Sequence, residues 1–183
     1  MRAVTVPVAF VAAVVLLASG CTASDLAVPV PTAAAAPYLC DGVPLTGLER
    51  MTRTSDLAAE DIAANEWDSA FLCQVSHGDR LVASVLQVSL EGRGSDPVDE
   101  QIAEARTRSG ALQIVADAPG AGYVEVRDEE TSARWVCEDN TRTDVTVYVD
   151  SDPDLEEDLA RYMVSILPWA CGDAEAPPRT VEE

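Results

Sequence analysis

Apolar positions along the chain switch between a period of two and a period of 3.6, the patterns of strands and of helices that each bury one side. Phe71, Cys73 and Val75 alternate with Leu72, Gln74 and Ser76, which predicts a strand turning at His77-Gly78-Asp79 into a longer one over residues 81–90. In that second strand Val82, Leu86, Val88 and Leu90 are assigned to one face, and Gln87, Ser89 and Glu91 to the other. The two strands read as an antiparallel hairpin with one buried side. The alternation returns at Val124 and Val126, at Ala133, Trp135 and Cys137, and at Val145, Val147 and Val149, with polar turns over 128–131 and 139–142 between them. A further strand is expected over 111–116, before the Pro119-Gly120 turn.

The strongest helical pattern covers 153–167, where Leu155, Leu159, Tyr162, Met163, Ile166 and Leu167 recur at spacings of three and four. Ser151 or Asp152 is placed to cap it, Pro153 suits its first position, and Pro168 is expected to end it. A second helix is predicted over 97–108 behind an Asp96 cap, with Val98, Ile102 and Ala105 on one side and Gly110 at its end. Residues 46–53 predict a short helix with Leu48 and Met51 inward, whereas 55–65 fit either a helix or an irregular acidic loop. Together these elements predict an α+β domain, an antiparallel sheet of five or six strands with helices packed on one face.

The N-terminus is organised differently. Arg2 precedes an apolar run over 4–18 that is about 15 residues long, too short to span a bilayer as a helix and suited to a signal peptide over 1–20. Leu17-Ala18-Ser19-Gly20-Cys21 resembles the bacterial lipobox, whose cysteine is diacylated on sulfur and becomes the mature N-terminus. That resemblance implies lipidation at Cys21 and a chain held at the cell membrane on its extracytoplasmic face. Two acyl chains supply stable anchoring where one does not. The Ala- and Pro-rich stretch 21–37 reads as a tether, with a reach of about 50 Å if extended in polyproline fashion. The globular domain is expected over 38–171 and a disordered acidic tail over 172–183.

Composition narrows the partners. The 183 residues carry 32 acids against 12 basic residues, all Arg, for a formal charge of −20, and removal of the leader with Arg2 makes the chain more negative still. Such a surface does not suit a nucleic-acid backbone, which requires clustered cations. The absence of Lys fits a GC-rich coding bias. With Cys21 assigned to lipid, Cys40, Cys73, Cys137 and Cys171 form an even set in an oxidising compartment, which predicts two disulfides. Of the three possible pairings, Cys40–Cys73 with Cys137–Cys171 is preferred because it closes loops of nearly equal length.

Chemical motifs are few. His77 is the chain's one histidine and stands in a hydrophilic turn; the sequence has no nucleophile elbow, zincin motif or phosphate-binding loop, and 92–96 read as a flexible junction. Asp150, Asp152, Asp154 and Glu156 alternate as calcium ligands can, yet Leu155 occupies the place where an EF-hand loop needs glycine. The same acids serve helix capping and the helix dipole. Trp135 and Trp169 are each two residues from a cysteine of the preferred Cys137–Cys171 pair, which predicts that the bridge joins their indoles in one neighbourhood; Trp67 is assigned to packing.

The lipobox, the tether, Tyr38-Leu39-Cys40-Asp41-Gly42 at the domain start and Ile166-Leu167-Pro168-Trp169-Ala170-Cys171-Gly172 at its end resemble the small secreted lipoproteins of actinobacteria. The resemblance implies a membrane-tethered extracytoplasmic domain and carries over no catalytic residue. The expected function is therefore a non-enzymatic binding or cell-envelope interaction module, with no cofactor and no metal, and with an envelope protein or small ligand as partner. A carrier of small apolar ligands and a carboxylate-dependent hydrolase are the alternatives. A deep apolar cavity would favour the carrier, and two acids facing across a cleft the hydrolase.

Overall fold

The computed structural model describes residues 29–62, 70–91, 96–149 and 152–181. The leader, Cys21, Trp67, most of the 92–96 junction, Asp150 and Ser151 lie outside them. The elements in chain order are α1 (Leu45–Thr52), β1 (Ala58–Asp61), β2 (Ala70–His77), β3 (Arg80–Ser89), α2 (Val98–Thr107), β4 (Leu112–Ile114), β5 (Ala121–Arg127), β6 (Glu130–Val136), β7 (Thr141–Val147) and α3 (Leu155–Ala170). All strands join one antiparallel sheet in the order β1-β2-β3-β7-β6-β5-β4. The fold is α+β as the periodicity predicts, but the sheet has seven strands rather than five or six. The additional edge strand is β1, within the segment expected to be helical or irregular, where Ala58 to Asp61 pair with Ser76 to Cys73.

One face of the sheet carries the main core. Cys73, Val85, Val145, Ala133 and Val124 stand side by side on β2, β3, β7, β6 and β5, and none is more than 3 % exposed. Helix α3 lies over this row and buries Leu155, Leu159, Tyr162, Met163, Ile166 and Leu167, the six residues its sequence period selects. The helix continues through Pro168 to Ala170, so Pro168 does not end it. A proline at this point removes one N–H from the last turns without breaking the helical path. At the other end Asp154 takes the cap position, while Asp152 accepts the Asp154 N–H and pairs with Arg53.

Helix α2 is on the opposite face, correcting the expectation that helices cover one face alone. Its Ile102 and Ala105 pack with Val88, Leu90, Ala121, Tyr123 and Val136 in a second, smaller core. The reason lies in β3. A bulge opposite Val75 and Ser76 lets the adjacent Val82 and Ala83 both join the main core, after which Val85 faces α3 while Leu86 and Val88 face α2. The apolar residues of β3 thus serve two cores, where the sequence pattern suggested one.

Both disulfides form, joining Cys40 to Cys73 and Cys137 to Cys171 across sequence separations of 33 and 34. The first ties the entry to the domain onto β2, and the second ties the chain after β6 to the end of α3. The indoles are held by different partners. Trp135 is buried and donates from Nε1 to the Pro119 carbonyl at 3.3 Å, whereas Trp169 is half-buried, meets Tyr38 edge-on and lies against Gly42. Gly42, at φ 73°, leaves no room for a Cβ beneath that indole.

The domain extends beyond 38–171 at both ends. Val30, within the expected tether, is 2 % exposed, joins the main core and donates its N–H to Asp158 Oδ1 at 3.1 Å. The buried Asp158 also accepts from Arg50 Nε at 2.7 Å, so one carboxylate fixes the incoming chain, α1 and α3 together. The expected disordered tail returns to the domain start: Tyr38 N–H donates to Thr180 Oγ1, Thr180 and Val181 donate to the Tyr38 carbonyl, and Gly42 donates to the Pro177 carbonyl.

Candidate functional site

The face of the sheet opposite the main core is covered by α2 at one end only. Three rows of side chains cross it at right angles to the strands. In the first, Val88, Arg142, Val136 and Ala121 are neighbours on β3, β7, β6 and β5, and its apolar members lie in the core under α2. In the second, Leu72, Leu86, Asp144, Arg134 and Tyr123 follow in register from β2 to β5. In the third, Gln74, Ser84, Thr146, Ser132 and Glu125 do the same. Successive residues on a strand point to opposite faces, so each member of this third row directly follows or precedes a member of the buried row Cys73, Val85, Val145, Ala133 and Val124.

The second and third rows, with Arg142 of the first, line a groove of about 350 Å3. Its floor is the third row, which is small and uncharged except for Glu125. The larger second row forms one wall; Tyr148, Arg127 and Glu130 form the other. A shallow hollow lined by Arg80, Tyr148 and the β5–β6 turn continues it past Arg127 and Glu130. All the members of the floor row are half-buried, positioned to meet a ligand without being lost in the core.

Two ion-pair systems hold the charged side chains in place. Asp144 accepts from Arg134 Nε at 2.6 Å through one oxygen and from Arg142 Nε at 2.9 Å through the other. Arg134 also reaches the Tyr123 hydroxyl from Nη1. Burial would make its cation less stable, but the Asp144 charge and hydrogen bond outweigh that and raise its pKa further above the ordinary arginine value. In the second system Glu125 accepts from Arg108 at 3.2 Å and Arg127 at 2.9 Å, and Arg127 also pairs with Glu130. The Arg108 guanidinium stands 5.5 Å from the Tyr123 ring centre. Burial pushes the Glu125 carboxyl up, but the hydrogen bonds and charges of Arg127 and Arg108 win and hold it below the usual carboxylate range.

The groove lining therefore contains three arginines, Arg127, Arg134 and Arg142, and three acids, Glu125, Glu130 and Asp144, on a chain whose formal charge is −20. It is locally balanced where the rest of the molecule is acidic. A second hollow of about 570 Å3 lies between α1 and the 29–31 segment; it is mainly apolar but open to solvent, unlike the deep cavity expected of an apolar-ligand carrier. Among the described residues no helix is long and apolar enough to cross a membrane.

The sequence-selected positions are not part of the groove. His77 is exposed at the β2–β3 turn opposite Arg80. The four paired cysteines are structural, and Cys21 lies outside the described residues. Of the acids proposed as calcium ligands, Asp152 is turned to Arg53, and among the described residues no three His, Cys, Asp or Glu side chains come together as a metal-ligand set. Sequence reasoning missed Arg134, Arg142, Asp144, Tyr123 and Tyr148. A signal was present in Arg142, Asp144 and Thr146 on one strand and Ser132 and Arg134 on the next, which share a parity and carry opposite charges. Comparisons of the chain with protein-family models, curated proteins and solved structures found no match.

Proposed function

We propose that this chain is an exported, lipid-anchored binding module of the cell envelope, held at the extracytoplasmic face of the membrane through Cys21 and binding its partner in the sheet groove without catalysing a reaction. The observation that carries this reading is the groove itself, a row of uncharged hydrogen-bonding side chains framed by arginines that carboxylates hold in place. The two disulfides suit an oxidising compartment. The chain enters the described domain at Pro29 and Val30 in the helical layer, on the other side of the sheet from the groove.

The acids of the groove favour binding over hydrolysis. A glycosidase general acid needs a carboxyl with a raised pKa, whereas the hydrogen bonds and charges of Arg127 and Arg108 hold Glu125 below the usual carboxylate range.

Two measurements test the reading separately. In a chain whose groove floor is filled by Ser84→Leu and Thr146→Leu, Cys21→Ala should move the protein from the membrane fraction to the soluble one, and an unchanged distribution would contradict lipid anchoring. The chain carrying Cys21→Ser should sediment with isolated cell envelopes, and adding Ser84→Leu and Thr146→Leu, which fill the groove floor, should release it. Sedimentation unaffected by the filled floor would contradict binding through the groove.

A further inference from the structure

We infer that the groove takes a neutral, polyhydroxylated chain, an oligosaccharide strand lying across the β-strands along the Gln74, Ser84, Thr146 and Ser132 row. The inference rests on the groove being the binding site and names the class of its ligand.

Four of the five floor positions, on neighbouring strands, carry uncharged polar side chains. Neighbouring strands are about 4.8 Å apart, so the floor repeats its hydrogen-bonding groups at a spacing close to the length of one sugar ring. Three of the four are hydroxyls, each both donor and acceptor, and the fourth is an amide offering both separately. Sugar hydroxyls have the same dual character. A phosphate or carboxylate offers acceptors alone and would use only the donor half of each floor group.

Charge points the same way. Every acid in the lining is paired with arginine, Asp144 with the Nε groups of Arg134 and Arg142 and both Glu125 and Glu130 with the Nη groups of Arg127, so the lining is balanced and pre-oriented. A neutral ligand leaves those pairs intact. A polyanion would meet a molecule of charge −20, and a polycation would have to compete with the arginines for each carboxylate. The walls also present apolar surface at Leu72, Leu86 and the half-buried Tyr148, suited to the C–H faces of sugar rings. The Tyr148 hydroxyl lies 3.4 Å from Ser84 Oγ, linking wall to floor. A groove of about 350 Å3 is at the small end of ligand sites and holds a short stretch of chain, with the adjoining hollow beyond the β5–β6 turn allowing it to continue.

The test uses the full chain carrying Cys21→Ser and three probes, tetrasaccharides of a neutral hexose, of a pentose and of an N-acetylhexosamine, followed by calorimetry and by amide NMR. At least one should bind, with shifts concentrated on Gln74, Ser84, Ser132 and Thr146, and Ser84→Leu with Thr146→Leu should weaken it by at least about tenfold. If that double variant unfolds, Gln74→Ala and Ser132→Ala, which only delete polar groups, should each weaken the same probe. No binding by any of the three, or binding indifferent to all these variants, would overturn the ligand class. Envelope sedimentation that still depends on the floor would then show that the groove holds another kind of partner, and sedimentation indifferent to it would show that the groove reading itself fails.

Discussion

Arg134 and Asp144 face each other across the β6–β7 ladder, with Arg134 Nε 2.6 Å from Asp144 Oδ1, and the second carboxylate oxygen holds Arg142 two residues earlier on the same strand. Asp144 is mostly covered, with a side chain 14 % exposed. It is thus the counter-charge that lets two guanidinium groups share one side of the sheet beside the groove.

Replacing Asp144 with Ala leaves two neighbouring cations without their common partner. The expected loss is about 1.5–3 kcal/mol of stability, the range for hydrogen bonds to charged groups. Urea unfolding measures it. Pairing the change with Arg134→Met should recover part of the loss, because the double variant removes one of the stranded charges, and a strictly additive cycle would contradict the shared-charge account.

Glu125 gives the molecule an acid-sensitive element. Its folded pKa is lowered, so its contribution is present above the ordinary carboxylate pKa and is lost as pH falls through the lowered folded value. Below pH of about 4.3 the native protein should lose stability more steeply than the Glu125→Gln variant. Carboxyl NMR of Arg127→Ala should show the Glu125 titration moving up toward the ordinary range.

The opposite end of the pH scale reports on Tyr162. This phenol is fully buried, donates to the Pro44 carbonyl at 3.2 Å, and has its pKa pushed well above the ordinary value by burial. An acid whose folded pKa is raised stabilises the fold below its unfolded pKa and loses that contribution as pH rises beyond it. Stability should therefore fall above pH of about 10 in the parent. Tyr162→Phe should cost about 1 kcal/mol at neutral pH and show a shallower alkaline decline.

The two disulfides close loops of nearly equal length, so the chain-entropy argument assigns each about 3–4 kcal/mol. Removing Cys40–Cys73 or Cys137–Cys171 by paired Cys→Ala changes should lower the urea midpoint by similar amounts. A midpoint left unchanged by removal of either bridge would contradict that contribution.

What was legible in the sequence follows the strength of each local pattern. The apolar stripe of α3 and the strands β2, β5, β6 and β7 are visible because apolar residues recur along part of each at the period of its element. The pattern of β3 misled because a bulge shifts its parity and because both its sides meet a helix, so apolar residues occur on each. Strand β1 hides in an acidic segment whose burial is slight, and its place comes from pairing with β2 alone. Val30 joins the domain through one hydrogen bond and Thr180 through two, to residues more than a hundred positions away, for which no periodicity exists. The groove escaped notice for a related reason. Its floor residues are ordinary solvent-side members of amphipathic strands, and only the register of four strands places them in one line.

The claim that this line of residues is the contact surface is tested most directly by photo-crosslinking on intact cells. A photoreactive side chain at Thr146 in the groove floor is compared with one at exposed Arg161 on α3, in the helical layer on the other side of the sheet. The account predicts a discrete adduct from position 146 that is absent from position 161 and is lost when Ser84→Leu fills the floor. Equal labelling from the two positions, or an adduct from 161 alone, would contradict it.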